Sequence, residues 1–278
     1  SAFARAAQAL DEPRYLDAAR KAAEFVESRL TDKNTGALLR RYRMGEPAIA
    51  GFAEDYACFI QGLIDLYEAS FEIRWLTLAI DLQKMQDALF WDKTDGGYFS
   101  AAGDDPSILL RIKEDYDGAE PSPNSVAALN LLRLSQMTGN KTFCDRAETI
   151  FSVAASRMQN EPSAMPQMLV ALEFHLDKPR QIVIAGRAEA PDTRALLREA
   201  HSRFIPNKII LLADGGIGQR TLATHNDFIK SVGQIDGKAA AYVCEDFVCR
   251  LPATDARTLG DILREKAPHT DAVFPFAL

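Results

Sequence analysis

The chain repeats itself, and the repeat limits what it can fold into. "RYLDAARKAAEFVESRLTDKNTGALL" (14–39) aligns with "RWLTLAIDLQKMQDALFWDKTDGGYF" (74–99) at an offset of 60 residues. Arg14 falls on Arg74, Leu16 on Leu76 and Ala19 on Ala79. Beyond the helical stretch, Asp32, Lys33 and Gly36 fall on Asp92, Lys93 and Gly96. A fainter third copy, "TFCDRAETIFSVAASRM" (142–158), follows 68 residues later, with Phe143 on Trp75 and Ala147 on Ala79. A recurring helix and turn points to a fold made by setting copies of one supersecondary unit side by side.

Each copy has one apolar stripe. In the first, Tyr15, Ala19, Ala22, Ala23, Val26 and Leu30 share a helical face, and Asp17, Arg20, Lys21, Glu24 and Glu27 lie opposite. That is the pattern of an outer, half-buried helix. Between the copies run helices of another kind. "YACFIQGLIDLYEAS" (56–70) and "SVAALNLLRLSQM" (125–137) are apolar nearly all round, as a helix buried on most sides must be. Residues 2–10 read as the end of a first such helix, and "PQMLVALEFHL" (166–176) as a fourth.

Inner and outer helices therefore alternate. Inner-to-outer turns are short, whereas outer-to-inner connections run to about 20–30 residues and carry strand-like pieces, "GALLRRY" and "ILLRIKE". This alternation predicts a mainly α chain: part of an α/α toroid over 1–177, with a funnel lined by the N-terminal ends of inner helices. Seven helices make about half of a six-hairpin ring, so the remaining hairpins are expected upstream in a longer parent chain.

After Lys178 the period changes. "QIVIAG" (181–186), "KIILLAD" (208–214) and "AAAYVC" (239–244) read as strands. "DTRALLREAHSRF" (192–204) and "DARTLGDILREK" (255–266) read as helices capped by Asp192 and Asp255. A small α/β domain with a parallel β-α-β core is expected over 178–278. The glycine cluster "DGGIG" (214–218) places Gly216 and Gly218 on a dinucleotide fingerprint, but Thr221 stands at the third glycine position. The plainer reading is a flexible turn.

A net charge of −7 argues against a nucleic-acid footprint. No apolar run reaches the roughly 20 residues of a membrane span, and no signal-peptide pattern opens the chain. Ser1 opens it within a helical pattern, so the natural start is expected upstream. Four cysteines fit a reducing, cytoplasmic setting better than a disulfide scaffold. No cofactor or metal is expected.

The strings "FAEDYACFIQGLIDLYEAS", "FWDKTDGGYF", "DYDGAEPSPNSVAALNLLRL", "PNKIILLAD" and "AYVCEDFVC" together resemble the spermatogenesis-associated protein 20 family, which includes bacterial thioredoxin-domain-containing homologues. The resemblance covers essentially the whole chain. It implies an N-terminal thioredoxin-like domain absent here, a six-hairpin, glycosidase-like toroid of which this chain carries the second half, and a small α/β end. The family's activity is poorly defined, so the resemblance implies a carbohydrate-related fold and no particular reaction.

Carboxylates crowd the expected funnel. Glu54 and Asp55 precede the second inner helix; Asp115, Asp117 and Glu120 precede the third. Asp55, Asp117 and Glu120 are candidate catalytic groups, because two carboxyl groups in unlike surroundings can divide into acid and base for glycoside hydrolysis. Glu54, Tyr56, Asp115, Tyr116, Asn124 and Arg41 are candidate substrate contacts, with Tyr98, Phe99 and Trp91 as further aromatic surface. The competing reading of the acids is local: Ser122 or Asn124 caps the helix, and nearby carboxylates favour its dipole. Arg40, Arg41 and Arg43 form a basic cluster that pairs with these acids, binds an anion or faces solvent. Toroid epimerases use histidines on inner helices; of His175, His201, His225 and His269, only His175 touches one, which counts against epimerase chemistry in this half.

Two functions follow. One is a toroid that binds or processes a sugar or other small molecule in a carboxylate-lined funnel. The other is a non-catalytic binding module accompanying the absent redox domain. Asp55 and Asp117 discriminate: aimed into one open cavity they indicate an enzyme, and spent on helix caps and arginine pairs they indicate binding. In the last domain, Cys244 and Cys249 flank "EDFV". A two-residue turn at Asp246 and Phe247 sets the thiols opposite each other, as redox candidates. A reduced, packed pair is the expectation in a reducing compartment. Cys58 and Cys144 lie in helices and are expected in the core.

Overall fold

The repeat is a structural one. In the computed structural model, which describes residues 1–103, 108–177, 179–245 and 248–265, α2 (Pro13–Arg29) and α4 (Ile73–Phe90) end in the same turn. Asp32 N–H donates to the Ala37 carbonyl and Asp92 N–H to that of Gly97; Gly36 and Gly96 N–H return to Asp32 and Asp92. Single bridges then join Thr31 to Leu38 and Trp91 to Tyr98, again at matched positions. The glycines are required because φ is +75° at Gly36 and +79° at Gly96, a region that disfavours any Cβ.

Two compact units divide the chain, Ser1–Leu172 and Glu173–Leu278. In the first, α1 (Ala2–Leu10) packs on α2, α3 (Ala53–Ser70) on α4, and α5 (Pro123–Thr138) on α6 (Lys141–Asn160). The first, third and fifth helices lie side by side, so the hairpins share one seam. That seam holds Tyr56, Ile60, Leu63, Ile64 and Tyr67 of α3 against α5, which is buried along nearly its whole length. Each such aliphatic side chain contributes about 1.5–3 kcal/mol. α2 buries little beyond Ala23, whereas α4 buries Trp75, Leu76, Ala79 and Phe90, more than a surface stripe predicts.

Where α3 and α5 cross, Arg133 lies in the core, 4 % exposed, and pairs with Asp65 at 2.8 Å and Glu68 at 2.6 Å. Arg5 of α1 joins Asp65 at 3.1 Å. The connection after α2 forms a hairpin, β1 (Leu39–Arg43) with β2 (Glu46–Ala50), turning at Met44 and Gly45. The expected strand in "ILLRIKE" is absent: residues 108–114 run without regular structure, and Leu109, Leu110 and Ile112 are exposed. α7 (Pro166–Leu176) follows a 3-10 turn at Pro162–Ala164.

The second unit is a four-stranded sheet of order β4-β3-β5-β6. β3 (Arg180–Ala185) pairs in parallel with β4 (Lys208–Ala213) through α8 (Pro191–Ser202) and antiparallel with β5 (Ala240–Glu245); β6 (Val248–Cys249) edges β5. The apolar runs bury because β3 and β4 lie inside the unit on both faces. α9 (Ile217–Ala223) and α10 (Phe228–Ser231) follow β4, and α11 (Ala256–Arg264) packs on α8. Asp255 caps α11 as expected, through Thr258 N–H at 2.9 Å. Asp192 does not cap α8. Ala190 stands at that position and Pro191 opens the helix, while the Asp192 carboxylate accepts Ala239 N–H at 2.8 Å. The "DGGIG" turn is closed by its own acid: Asp214 accepts Gly216, Gly218 and Gln219 N–H, filling the place a phosphate would take.

Candidate functional site

A groove of about 310 Å³ opens where the β1–β2 hairpin meets the first turns of α3 and α5. Arg40, Phe52, Glu54, Ser100, Glu114 and Pro123 line it. Arg40 crosses the hairpin to pair with Glu54, and reaches Asp55 at 3.1 Å. Its guanidinium lies 5.0 Å from the centre of the Phe52 ring. The hydrogen bond that Arg40 donates to the Glu54 carboxylate raises the guanidinium's pKa, so Arg40 is a fixed cation. Glu114 is exposed and has no ion-pair partner among the described residues. The Ser100 hydroxyl is buried without a hydrogen-bond partner there. The groove is thus lined by an acid without an ion-pair partner, an arginine–glutamate pair and apolar surface from Phe52 and Pro123, with the Ser100 hydroxyl buried behind it.

The residues singled out in the sequence divide between this groove and the framework behind it. Asp55 closes the first turn of α3, accepting Phe52 N–H at 2.8 Å, and takes its other contact from Arg40. Asp117 is 6 % exposed. It accepts Ser122 N–H at 2.8 Å, Gln167 N–H at 2.9 Å and Met168 N–H at 3.1 Å, so it serves the starts of α5 and α7 at once. Its own N–H donates to the Ala164 carbonyl. With three N–H donors on two oxygens, little of this carboxylate is left for a ligand.

Tyr56 and Asn124 perform one task at matched places. The Tyr56 hydroxyl accepts Leu38 N–H at 2.9 Å, and Asn124 Oδ1 accepts Tyr98 N–H at 2.7 Å. Each pins the turn after an outer helix to the start of the next inner helix. Asn124 also donates to the carbonyls of Tyr98 and Glu114, which fixes the backbone that presents Glu114 to the groove. Ser122 caps α5 through Ser125 N–H.

Asp115 pairs with Arg157 at the surface, and Tyr116, 61 % exposed, lies under the same guanidinium. Glu120 and Arg41 are exposed, with no side-chain partner among the described residues. Tyr98 is buried, its hydroxyl donating to Asp87 at 2.5 Å, and burial together with that acid pushes its pKa well up. Trp91 packs edge-on against it with ring centres 5.0 Å apart. Phe99 lies beneath Arg111 in a separate surface depression of about 480 Å³.

Cys58 is exposed rather than in the core. Partial burial and the charges of Glu54, Asp55 and Glu120 push its thiol up. Cys144 is half-buried, and burial beside Glu148 pushes its thiol to about 11. Cys244 and Cys249 are joined by a disulfide. The expected reduced pair gives way because β5 and β6 set the two residues directly opposite each other. The expected turn residues, Asp246 and Phe247, and His269 lie outside the described residues. Sequence reading passed over Ser100 and Glu114, which sit in irregular connections where no periodicity marks a face.

No family model matches the chain. Human spermatogenesis-associated protein 20 is 40 % identical over 272 residues, covering 95 % of this chain and 34 % of that protein. The chain is homologous to spermatogenesis-associated protein 20. The rat protein of that family is 39 % identical over 274 residues, again 95 % of this chain and 35 % of its own length. An uncharacterised protein of Caenorhabditis elegans is 32 % identical over 274 residues, 94 % of this chain and 36 % of that one. The chain spans about a third of the length of the curated relatives it matches. Among solved structures, the cellobiose 2-epimerase of Spirochaeta thermophila is 20 % identical with a TM-score of 0.44, covering 55 % of this chain and 40 % of its own. The mannosidase Bt3792 of Bacteroides thetaiotaomicron, of glycoside hydrolase family 76, is 20 % identical with a TM-score of 0.42, covering 51 % and 38 %. No helix among the described residues is long and apolar enough to cross a membrane.

Proposed function

We propose that the first unit is an arc of an α/α toroid and holds a carbohydrate in the groove between Arg40, Glu54, Ser100 and Glu114, by binding rather than by catalysis through Asp55 and Asp117. The observation that carries this reading is the division of labour among the acids. Asp117 has both oxygens taken by backbone N–H groups, and Asp55 spends Oδ2 on Phe52 N–H and the Arg40 guanidinium, whereas Glu114 lines the groove and has no ion-pair partner among the described residues. A sugar hydroxyl needs both donors and acceptors. Glu114 accepts, and the Arg40–Glu54 pair offers both. Phe52 and Pro123 supply the apolar surface that covers a sugar ring's C–H face.

The alternation of α1, α3 and α5 with α2, α4 and α6 supports the arc. In such an arc the rest of the ring comes from upstream in the parent chain, and chemistry belongs to groups outside this one. Exposed apolar residues on the first hairpin, Phe3 and Leu10 among them, fit that continuation. A thermal-shift screen against neutral and acidic mono- and disaccharides tests the reading. We expect a ligand whose shift is reduced in both Glu54→Gln and Glu114→Gln. A sugar whose hydrolysis or epimerisation by the parent protein stops in Asp117→Asn, with the fold intact, would reverse the assignment.

A further inference from the structure

We propose that the Cys244–Cys249 bridge is a thiol-exchange site, opened by a dithiol that attacks Cys249. Three observations carry this. The first is register: Cys244 faces Cys249 across β5 and β6, Glu245 faces Val248, and Arg250 N–H donates to the Val243 carbonyl at 3.0 Å. The hydrogen-bonded position at Val243 and Arg250 leaves the cysteines at the neighbouring non-hydrogen-bonded position, where side chains lie closest. Their Cα atoms are 4.0 Å apart.

The second is asymmetry of access. Cys244 is 3 % exposed, inside the sheet, while Cys249 is exposed on a two-residue edge strand beside the exposed Val248. Exchange requires a thiolate to reach one sulfur, and Cys249 is the one in reach. The third is local charge. Glu245 pairs with Arg180 at 2.6 Å, and Arg250 pairs with Glu265. Among the described residues, Glu245 and Glu265 are thereby neutralised and do not repel an incoming thiolate.

The step balances with a dithiol as reductant. One thiolate of the dithiol bonds to Cys249 Sγ, the Cys244–Cys249 bond breaks, and Cys244 leaves as a thiolate that takes up a proton. The second thiolate of the dithiol then attacks its partner sulfur, closes a disulfide within the reductant, and releases Cys249, which is protonated in turn. Two electrons pass from the dithiol to the bridge. A monothiol makes the first bond, and completing the reduction then needs a second monothiol molecule to attack the mixed disulfide and leave as the monothiol's own disulfide. Cys244, held opposite on the paired strand, then returns to Cys249 and expels it, because its effective concentration is about millimolar or higher.

The test uses the intact chain without denaturant at pH 8. Dithiothreitol and 2-mercaptoethanol are supplied at equal thiol equivalents, then quenched with iodoacetamide and read by peptide mass spectrometry. We expect both cysteines blocked from alkylation before reduction and both alkylated after dithiothreitol. With 2-mercaptoethanol, opening should be lower by about tenfold or more, with any adduct on Cys249. Alkylation of the pair without reductant would overturn the proposal. So would a bridge that resists dithiothreitol until the chain unfolds, or an adduct on Cys244. Single variants check the asymmetry independently: in Cys244→Ser, Cys249 should hold a stable monothiol adduct, and in Cys249→Ser, Cys244 should resist iodoacetamide. Equal reactivity of the two lone cysteines would contradict attack at Cys249.

Discussion

The carboxylate of Asp117 accepts the backbone N–H of Met168 at 3.1 Å, across 51 residues of sequence. With Gln167 and Ser122 as further donors, this one side chain ties the connection before α5 to the first turn of α7. It satisfies helix-end N–H groups that nothing else in the helix can.

Asp117→Asn should therefore act on stability. The amide keeps one acceptor oxygen but turns an NH₂ group toward N–H donors, at a cost of about 1–3 kcal/mol. Chemical denaturation should show the loss, and an unchanged midpoint would remove the capping role.

Acid should weaken the seam between α3 and α5. Burial opposes ionisation of Asp65, but Arg133 and Arg5 outweigh it and hold its pKa at about 2, against 3.8 in the unfolded chain. A depressed carboxylate stabilises the fold above its unfolded pKa, and that contribution goes as pH falls through 3.8 toward about 2. For Asp65 it amounts to about 2 kcal/mol. A urea-midpoint series from pH 5 to 2 should fall more steeply in the wild type than in Asp65→Asn. Parallel curves would contradict the assignment.

Removing the other partner should cost more. Arg133→Met leaves Asp65 and Glu68 buried beside an uncharged side chain, a loss of about 3–5 kcal/mol. Replacing all three by apolar residues of similar volume should recover most of it. Calorimetry that finds the triple variant no more stable than Arg133→Met would contradict this.

Gly36 and Gly96 occupy the same turn but not the same surroundings. A Cβ at Gly96 would lie 2.2 Å from Thr149 Cγ2, and one at Gly36 would lie 3.4 Å from Met85 Cε. Both alanine variants should lose about 1 kcal/mol to positive φ. Gly96→Ala should lose more, and Gly96→Ala with Thr149→Ser should regain part of the difference. Equal losses in the two single variants would mean that the turn yields freely.

The helices were legible because burial writes a period into sequence, and the repeat sets Asp32 on Asp92, but the division into inner and outer helices was not: α1, expected to be buried on most sides, buries only Ala4, and α4, expected at the surface, buries Trp75, Leu76, Ala79 and Phe90. The strands of the second unit showed as short β-branched runs. The roles of the acids were less legible. Asp55 sits at a helix start where a capping role can be read, but Arg40 reaches it only through the hairpin. Asp117 meets Gln167 and Met168 through tertiary structure alone, so its position before an inner helix read equally as a site or as a cap. "ILLRIKE" carries a strand-like composition without a neighbouring strand to pair with. An apolar helix places Cys58 in the core by its pattern alone, yet the residue is exposed, one turn along α3 from Glu54.

The most direct test compares Glu114→Gln with Asp117→Asn by saturation-transfer NMR, using a disaccharide found in the screen, at a temperature where both variants are folded. We expect the ligand signal to persist in Asp117→Asn and to fall away in Glu114→Gln. A signal lost in Asp117→Asn and kept in Glu114→Gln would move the site from the groove to the buried carboxylate and contradict the account.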